Sequence, residues 1–342
     1  MNSYQRVMNT LSGRPVDRVP AFAILGAYGA NLTGCDLRTL YSDAGAYLQA
    51  QQALQSSFGF DLVLAPFDFS AIAEAFGGET VWSGLQTPNM RRPAAPTVAR
   101  ALDLRLPGPG DGRLSFILEA TRALAQLYQE RVPVIAVLPG PGILPSLLVG
   151  LDLWMETVLF EPGAARNLLS YSGDFLVALG NALVEAGADC LVFTEGMACA
   201  EIAPRALFVD AVLPHLREIL ARIDGPKIIS STGGSINQTL DLLPGIPGVV
   251  GAVAGSRDDL VESRRLVGPH FNLLGNLDNL AFASVGAEEM QQMSLDCLQA
   301  AAHGGHFILA NSGGDIPQAT PAENLLAMHG AAVRYPATGR LQ

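Results

Sequence analysis

The chain has 342 residues, with 21 Lys and Arg against 32 Asp and Glu and a formal net charge of −11. This acidic balance, without a basic cluster interleaved with aromatic residues, excludes nucleic acid as an expected partner. Hydrophobic residues make up 49% of the chain and charged residues 15%, a composition that excludes a disordered chain and predicts an extensive core.

The N-terminal residues and the cysteines exclude further classes of protein. The first twenty residues lack the apolar core of a signal peptide, and no later stretch has the ~20 apolar residues of a membrane span. We therefore expect a cytoplasmic protein that does not bind a membrane. Neither a disulfide framework nor a zinc knuckle is indicated, because the four cysteines stand far apart without a CxxC pair.

Short apolar runs alternate with amphipathic segments along the chain. A leading helix and turn are expected over 1–18. Eight apolar runs bounded by turn residues then predict parallel strands at 20–25, 62–66, 133–138, 190–194, 227–230, 248–253, 271–275 and 306–310. Helices are predicted between them at 44–58, 115–130, 164–186, 206–223, 257–266 and 287–303. Eight such strands predict an α/β protein with a single (β/α)8 TIM barrel.

One segment interrupts this alternation. Residues 78–112 are rich in Pro and Gly, and we interpret them as an excursion between the second and third strands that forms a small hairpin or a lid. No change of composition marks a second domain. The sequence therefore predicts one barrel domain over residues 1–342.

Two carboxylates stand where strands end, and in such barrels the loops that follow the strands converge on one mouth. Asp68 and Glu195 are the candidate catalytic residues, because a carboxylate buried at the mouth can carry a proton or accept a hydrogen bond from a substrate. Asp68 could instead cap the helix that follows it. Glu195 could instead pair with Arg205 or with the first turn of the next helix.

Small polar residues at the other strand ends are the candidate substrate-binding groups. Ser230 and Thr232 precede two glycines, which lets backbone amides and hydroxyls approach a ligand closely. A plain strand-to-loop turn is the alternative, and ordinary Asx turns are the alternative for the asparagines. The complete candidate set for substrate binding is Tyr28, Ser230, Thr232, Asn276, Asn311 and Ser312.

Six stretches in order resemble the uroporphyrinogen decarboxylase superfamily over nearly the whole chain. They are SGRPVDRVP (12–20), FDFSAIAEAFGGETVW (67–82), PGPGILPSLLVGLD (139–152), GADCLVFTEGMACAEIAPRALF (187–208), LLGNLDN (273–279) and GGDIPQATPAENLLAMHGAA (313–332). The opening SGxxxDRVP and the EAFG stretch are similar to the corrinoid-linked, cobalamin-dependent methyltransferase branch. The decarboxylase branch has an arginine-rich loop after its first strand, whereas residues 23–32 contain no arginine.

The resemblance implies a methyl group that moves between a small substrate and a corrinoid (cobalamin) carried by a partner protein. It also implies a barrel that can form homodimers. The thiol-methylating members hold zinc through His-x-Cys and a later Cys, and these positions fall on Ser230, Thr232 and Gly314. Because hydroxyls and glycine are poor zinc ligands, zinc is not expected, and an oxygen or nitrogen substrate is favoured over a thiol. An unusual metal set of Asp68, Glu195 and Cys199 is left open.

Two other functions stay open from the sequence. The first is a cofactor-free decarboxylase or lyase acting on a small carboxylate through Asp68, because Asp68 precedes Gly77 by the spacing that the decarboxylases show. The second is a catalytically silent homologue that binds a corrinoid, a tetrapyrrole or a partner protein.

Overall fold

The computed structural model describes residues 1–84 and 87–335. Ten strands lie within them: β1 (Ala21–Phe22), β2 (Val63–Leu64), β3 (Glu79–Val81), β4 (Asn89–Arg92), β5 (Val134–Pro139), β6 (Cys190–Thr194), β7 (Lys227–Ser230), β8 (Val249–Val253), β9 (Asn272–Asp278) and β10 (Phe307–Ser312). The same residues form sixteen α-helices: α1 (Ser3–Leu11), α2 (Gly29–Thr33), α3 (Leu37–Leu40), α4 (Ala44–Phe58), α5 (Phe69–Ala75), α6 (Val98–Leu102), α7 (Leu114–Tyr128), α8 (Leu144–Val149), α9 (Leu151–Phe160), α10 (Pro162–Glu185), α11 (Arg205–Leu207), α12 (Leu213–Ala221), α13 (Asn237–Leu240), α14 (Leu260–Val267), α15 (Ala287–Ala301) and α16 (Ala322–Arg334).

Eight of the strands form one curved parallel sheet in the order β1-β10-β9-β8-β7-β6-β5-β2. The two end strands are also linked, because the amide of Asp61, just before β2, donates to the carbonyl of Ala21 in β1 at 2.8 Å. Each of the eight strands lies where an apolar run predicts it. The prediction of a (β/α)8 barrel is confirmed.

The sheet is buried on both faces, as its near-continuous apolar strands require. One face fills the barrel interior with a cluster that includes Phe22, Ile135, Val192, Leu274 and Ile308. The other face packs against the surrounding helices in a larger cluster. Burial on both faces explains why these strands are apolar runs rather than alternating patterns.

Three differences from the predicted elements have physical causes. Strands β9 and β10 continue further than the apolar runs, so Asn276, Asn311 and Ser312 lie inside strands. The predicted helix 206–223 is broken by a π-helical turn at Phe208–Val212, next to Pro214, which has no backbone N–H to continue a regular helix. Helices α8 and α9 were not predicted, because with 6 and 10 residues they are too short to show a clear helical period.

The segment between β2 and β5 carries an antiparallel pair. Strand β3 pairs with β4, and the short helix α6 follows. Two guanidinium groups lie over the indole of Trp82, with their carbons 5.1 Å (Arg38) and 4.9 Å (Arg113) from the ring centroid. Residues 85–86, within the predicted excursion, lie outside the described part of the chain. That this segment acts as a lid stays a prediction.

An ion cluster fastens α1 to the closed end of the barrel. The buried carboxylate of Asp61 accepts hydrogen bonds from Arg6 at 2.7 Å and from Arg18 at 2.7 Å. Arg6 also bonds to Asp17. The polar residues of the SGRPVDRVP stretch therefore hold the leading helix in place, at the end of the barrel away from the strand carboxyl ends.

A helix that crosses a bilayer needs about 20 predominantly apolar residues. Within residues 1–84 and 87–335, no helix combines the length and the apolar character that crossing a membrane requires.

Candidate functional site

The carboxyl ends of the barrel strands surround a narrow cavity. Its volume is about 30 Å³, enough to hold at least one water-sized group. Most of its lining is apolar and includes Phe22, Phe67 and Leu274. Three polar side chains complete the lining: Thr194, Ser230 and Asn311. We call this space the mouth cavity. It lies where ligands of (β/α)8 barrels bind.

Only one of the three polar side chains keeps a donor for a ligand. The Thr194 hydroxyl donates to the carbonyl of Leu138 at 3.3 Å. The Asn311 amide oxygen accepts from the amide of Ile24 at 2.8 Å, and its nitrogen donates to the carbonyls of Gly314 at 3.0 Å and Ser312 at 3.5 Å. The Ser230 hydroxyl oxygen accepts from the amide of Thr232 at 3.2 Å. Among the described residues no acceptor takes the Ser230 hydroxyl hydrogen.

The other predicted substrate-binding residues lie outside the cavity lining and have partners of their own. Thr232 is exposed on the loop after β7, with a left-handed φ of 64°. The hydroxyls of Ser312 and Tyr28 donate to the carbonyls of Leu277 and Thr320. Asn276 donates to the carbonyls of Gly255 and Asp258. The structure thus brings Ser230 and Asn311 together at the cavity and directs the remaining polar groups elsewhere.

Asp68 begins α5 and forms an ion pair. Its side chain accepts hydrogen bonds from the amides of Ser70 and Ala71, so Asp68 caps the helix, as the alternative interpretation of this residue predicts. Its other oxygen bonds to Arg113. Arg113 also contacts Glu74 at 2.5 Å. Burial raises the pKa of Asp68, and the Arg113 charge opposes that rise.

Glu195 occupies a closed niche behind the end of β6. Its carboxylate accepts from the amide of Gly142 at 2.7 Å and from the amide of Met197 at 3.1 Å. The niche depends on two glycines, because a Cβ at Gly140 or Gly142 would lie 2.5 Å from a Glu195 oxygen. Burial raises the pKa of Glu195 to about 7. Arg205, the alternative partner predicted for Glu195, bonds to Asp241 instead.

The residues at the positions where the resemblance implies zinc ligands do not fit a zinc ion. Ser230 and Thr232 supply only hydroxyls and Gly314 has no side chain, whereas protein zinc sites use His, Cys or carboxylate ligands. A Cβ on Gly233 would lie 3.0 Å from the Cα of Gly313, so the two loops already touch there. Across residues 1–84 and 87–335, no three His, Cys, Asp or Glu side chains are grouped to hold a metal.

Two features of the site were missed in the sequence. Arg113 follows Asp68 by 45 residues, so no local pattern pairs them. Asp315 accepts the amides of Gly26 and Ala27 at 2.7 Å each, and burial raises its pKa to about 6. The buried hydroxyl of Tyr41 faces the same turn and has no hydrogen-bond partner among the described residues. The GGDIP stretch at 313–317, which is part of the family resemblance, was the feature of the sequence that could have indicated Asp315.

Known proteins with similar sequences align with this chain from end to end. The methylcobamide:CoM methyltransferase MtbA of Methanosarcina acetivorans is 26% identical over 339 residues, which cover 97% of each chain. The uroporphyrinogen decarboxylase of an Anaeromyxobacter species is 24% identical, with 94% of this chain and 96% of that protein covered. Both activities predicted from the resemblance thus occur among the relatives.

The fold also has a solved counterpart. A methyltransferase from Methanosarcina mazei superposes with a TM-score of 0.88 at 20% identity, covering 97% of this chain and 98% of that one. At that identity the likeness establishes the barrel fold alone. The sequence model of the uroporphyrinogen decarboxylase (URO-D) family matches residues 2–335. The chain therefore belongs to the uroporphyrinogen decarboxylase (URO-D) family.

Proposed function

We propose that this protein is a methyltransferase that moves a methyl group between a small substrate in the mouth cavity and a corrinoid carried by a separate protein. The observation that carries the proposal is the end-to-end alignment with methylcobamide:CoM methyltransferases, which cover 97% of this chain. A cavity ringed by strand ends supports it, because a second protein can approach the open mouth while the substrate is held below.

In this proposal the protein mainly orients the methyl-bearing group for an in-line displacement. The apolar walls around Phe22 and Phe67 exclude water, and the Ser230 hydroxyl fixes the group by one hydrogen bond. When a neutral substrate gives up its methyl group, the electrons of the broken bond stay on the substrate atom, where the Ser230 hydroxyl would stabilise the negative charge until the product takes a proton from solvent. The corrinoid on its carrier protein would supply the electron pair of the new bond. No step passes through a metal held by this chain, because the donor set does not fit one.

The two carboxylates predicted as catalytic receive a positioning role in this proposal. Asp68 and Glu195 are both absent from the described lining of the cavity, and both are held by donors of the protein itself. Asp68 fixes the start of α5 beside Phe67, which lines the cavity. Glu195 holds the turn at Gly142 next to β6.

Several smaller expectations accompany the proposal. A corrinoid protein is the expected partner, by analogy with the relatives named as methylcobamide-dependent enzymes. Homodimerisation and a cytoplasmic location stay predictions from the resemblance and the sequence.

The decarboxylase alternative has less support from the site. Its substrate carries a carboxylate, and a buried carboxylate needs a cation or several donors close by. Among the described residues that line the mouth cavity, none is Arg or Lys. Arg113 lies outside that lining and is already paired with Asp68 and Glu74. A cavity of this kind does not favour a carboxylate.

The test is methyl transfer to or from free cobalamin. Protein purified in the presence of EDTA is mixed with cob(I)alamin and a panel of neutral methyl donors, and methylcobalamin formation is followed by absorbance. We expect transfer that EDTA does not abolish and that Ser230→Ala slows by about three- to tenfold, the effect of one neutral hydrogen bond. Failure to transfer in either direction with every donor and acceptor, together with carbon dioxide release from a carboxylate, would favour the decarboxylase.

A further inference from the structure

The mouth cavity has a lining without charge. Of the described residues that form it, nine are apolar, one is Gly313, and three are the uncharged polar residues Thr194, Ser230 and Asn311. A charged group that entered this space would lose its hydration without meeting an opposite charge, which is strongly unfavourable. The lining therefore selects against ions of either sign.

The charged side chains of Asp68, Arg113 and Glu195 lie outside the cavity lining and are committed to contacts within the protein. Asp68 and Arg113 neutralise each other, and Arg113 also meets Glu74. The Glu195 carboxylate faces the amides of Gly142 and Met197. For Asp68, Arg113 or Glu195 to bind a charged ligand, the hydrogen bonds that they already make would have to break. Both arrangements therefore leave the cavity electrically neutral.

Among the described side chains that line the cavity, one keeps a free hydrogen bond donor. Thr194 and Asn311 spend their donors on carbonyls of the protein, as described above. Ser230 is buried, lines the cavity, and accepts from Thr232 while its own hydrogen stays available. A buried donor without an acceptor is costly, so a ligand acceptor at this point is stabilising. A single free side-chain donor in an apolar space favours a ligand that places one hydrogen bond acceptor beside it.

We propose that the mouth cavity binds one end of an uncharged ligand. This end consists of an apolar, methyl-bearing group next to a single atom that accepts a hydrogen bond from the Ser230 hydroxyl. Ser230 is thus a specificity-determining residue. The volume of about 30 Å³ admits a small group such as a methyl, and the remainder of a larger ligand would lie in the mouth beside Phe67. That the bound end carries a methyl group rests on the proposed function, whereas the selection for an uncharged end does not.

The experiment compares four probes that share a phenyl body and differ in the end that enters the cavity. Methyl phenyl ether is neutral with one acceptor, ethylbenzene is neutral without one, benzoate is an anion and benzylammonium is a cation. Binding to the protein without corrinoid is measured by ligand-observed NMR and calorimetry. We expect methyl phenyl ether to bind about three- to tenfold more tightly than ethylbenzene. Both ions should bind at least about tenfold more weakly than the ether.

Two serine variants separate the hydrogen bond from general damage to the loop. Ser230→Ala should remove the difference between the ether and ethylbenzene while both still bind. Ser231→Ala is the matched control, because the Ser231 hydroxyl donates to the carbonyl of Gly234 and does not line the cavity. It should leave the difference unchanged. Circular dichroism checks that both variants are folded.

The outcomes distinguish this inference from the proposed function. Equal or tighter binding of either ion, an unchanged ratio in Ser230→Ala, or no binding of any probe at millimolar concentration would each overturn the inference. If the neutral probes bind as expected but no methyl transfer occurs, the proposed function fails and the selectivity of the cavity stands. If methyl transfer occurs with an ionic substrate, the inference fails alone.

Discussion

Arg113 is the residue that makes the burial of Asp68 tolerable. The Asp68 side chain is 0% exposed and the Arg113 side chain 17% exposed. Removing one partner of such a pair leaves a buried charge uncompensated, which costs about 3–5 kcal/mol. We expect Arg113→Gln to lower the free energy of unfolding in urea by that amount.

The control for this prediction is an ion pair at the surface. Arg92 and Glu79 are 70% and 48% exposed, and exposed pairs contribute about 1 kcal/mol or less. Arg92→Gln should therefore cost less than about 1 kcal/mol. Equal losses in the two variants would show that Asp68 does not depend on Arg113.

Glu195 should make stability depend on pH. Burial raises its pKa from 4.5 to about 7, so the folded state keeps a proton that the unfolded chain has already released. Stability from this group is therefore full below about pH 4 and is lost as the pH rises through about 7, a loss of about 3 kcal/mol. Glu195→Gln cannot titrate, so urea unfolding from about pH 4 to about pH 8 should favour the variant increasingly. Parallel profiles for the two proteins would contradict this cause.

At the scale of elements, the turn between β5 and α8 is shaped by close packing against Glu195. A Cβ at Gly142 would lie 2.5 Å from a Glu195 oxygen and 2.6 Å from Val212. Gly142→Ala should therefore cost about 1–3 kcal/mol of unfolding free energy. Gly163→Ala, in the first turn of α10, is the matched control, because nothing lies within 4 Å of its Cβ position. It should be neutral or stabilise by up to about 1 kcal/mol, and a similar loss in both variants would refute the packing explanation.

At the scale of the whole molecule, exposed apolar side chains occur on four segments that follow strand carboxyl ends: Leu32, Val81, Ile202 and Leu280. Leu280 is 64% exposed. If a corrinoid protein covers the mouth, Leu280→Asp should raise the KM for that protein by about tenfold and leave transfer from free methylcobalamin unchanged, because an interface charge costs of the order of 1.4 kcal/mol or more. Val261→Asp, on α14 around the barrel, is the control and should change neither rate. A loss with free methylcobalamin as well would point to damage of the mouth rather than of a docking surface.

Much of the architecture could be predicted because it depends on local properties of the chain. Eight apolar runs mark the eight barrel strands, and the excursion between β2 and β5 is marked by its Pro and Gly residues. Asp68 before an amphipathic segment was foreseeable as a helix cap, since a cap needs only neighbours two and three residues away. These features need no knowledge of distant segments.

The site was harder to predict because the direction of each polar side chain and its hydrogen-bond partners depend on residues far away along the chain. The sequence alone determined the barrel, its order of elements, the family resemblance and the set of polar residues near strand ends. Only the tertiary structure decided that Ser230 faces the cavity with a free donor, that Asn276 turns toward other carbonyls, and that Glu195 is enclosed by the turn at Gly142. The physical reason is that a short polar side chain bonds to whichever donors or acceptors folding places beside it, and in this barrel many of those belong to segments distant along the chain.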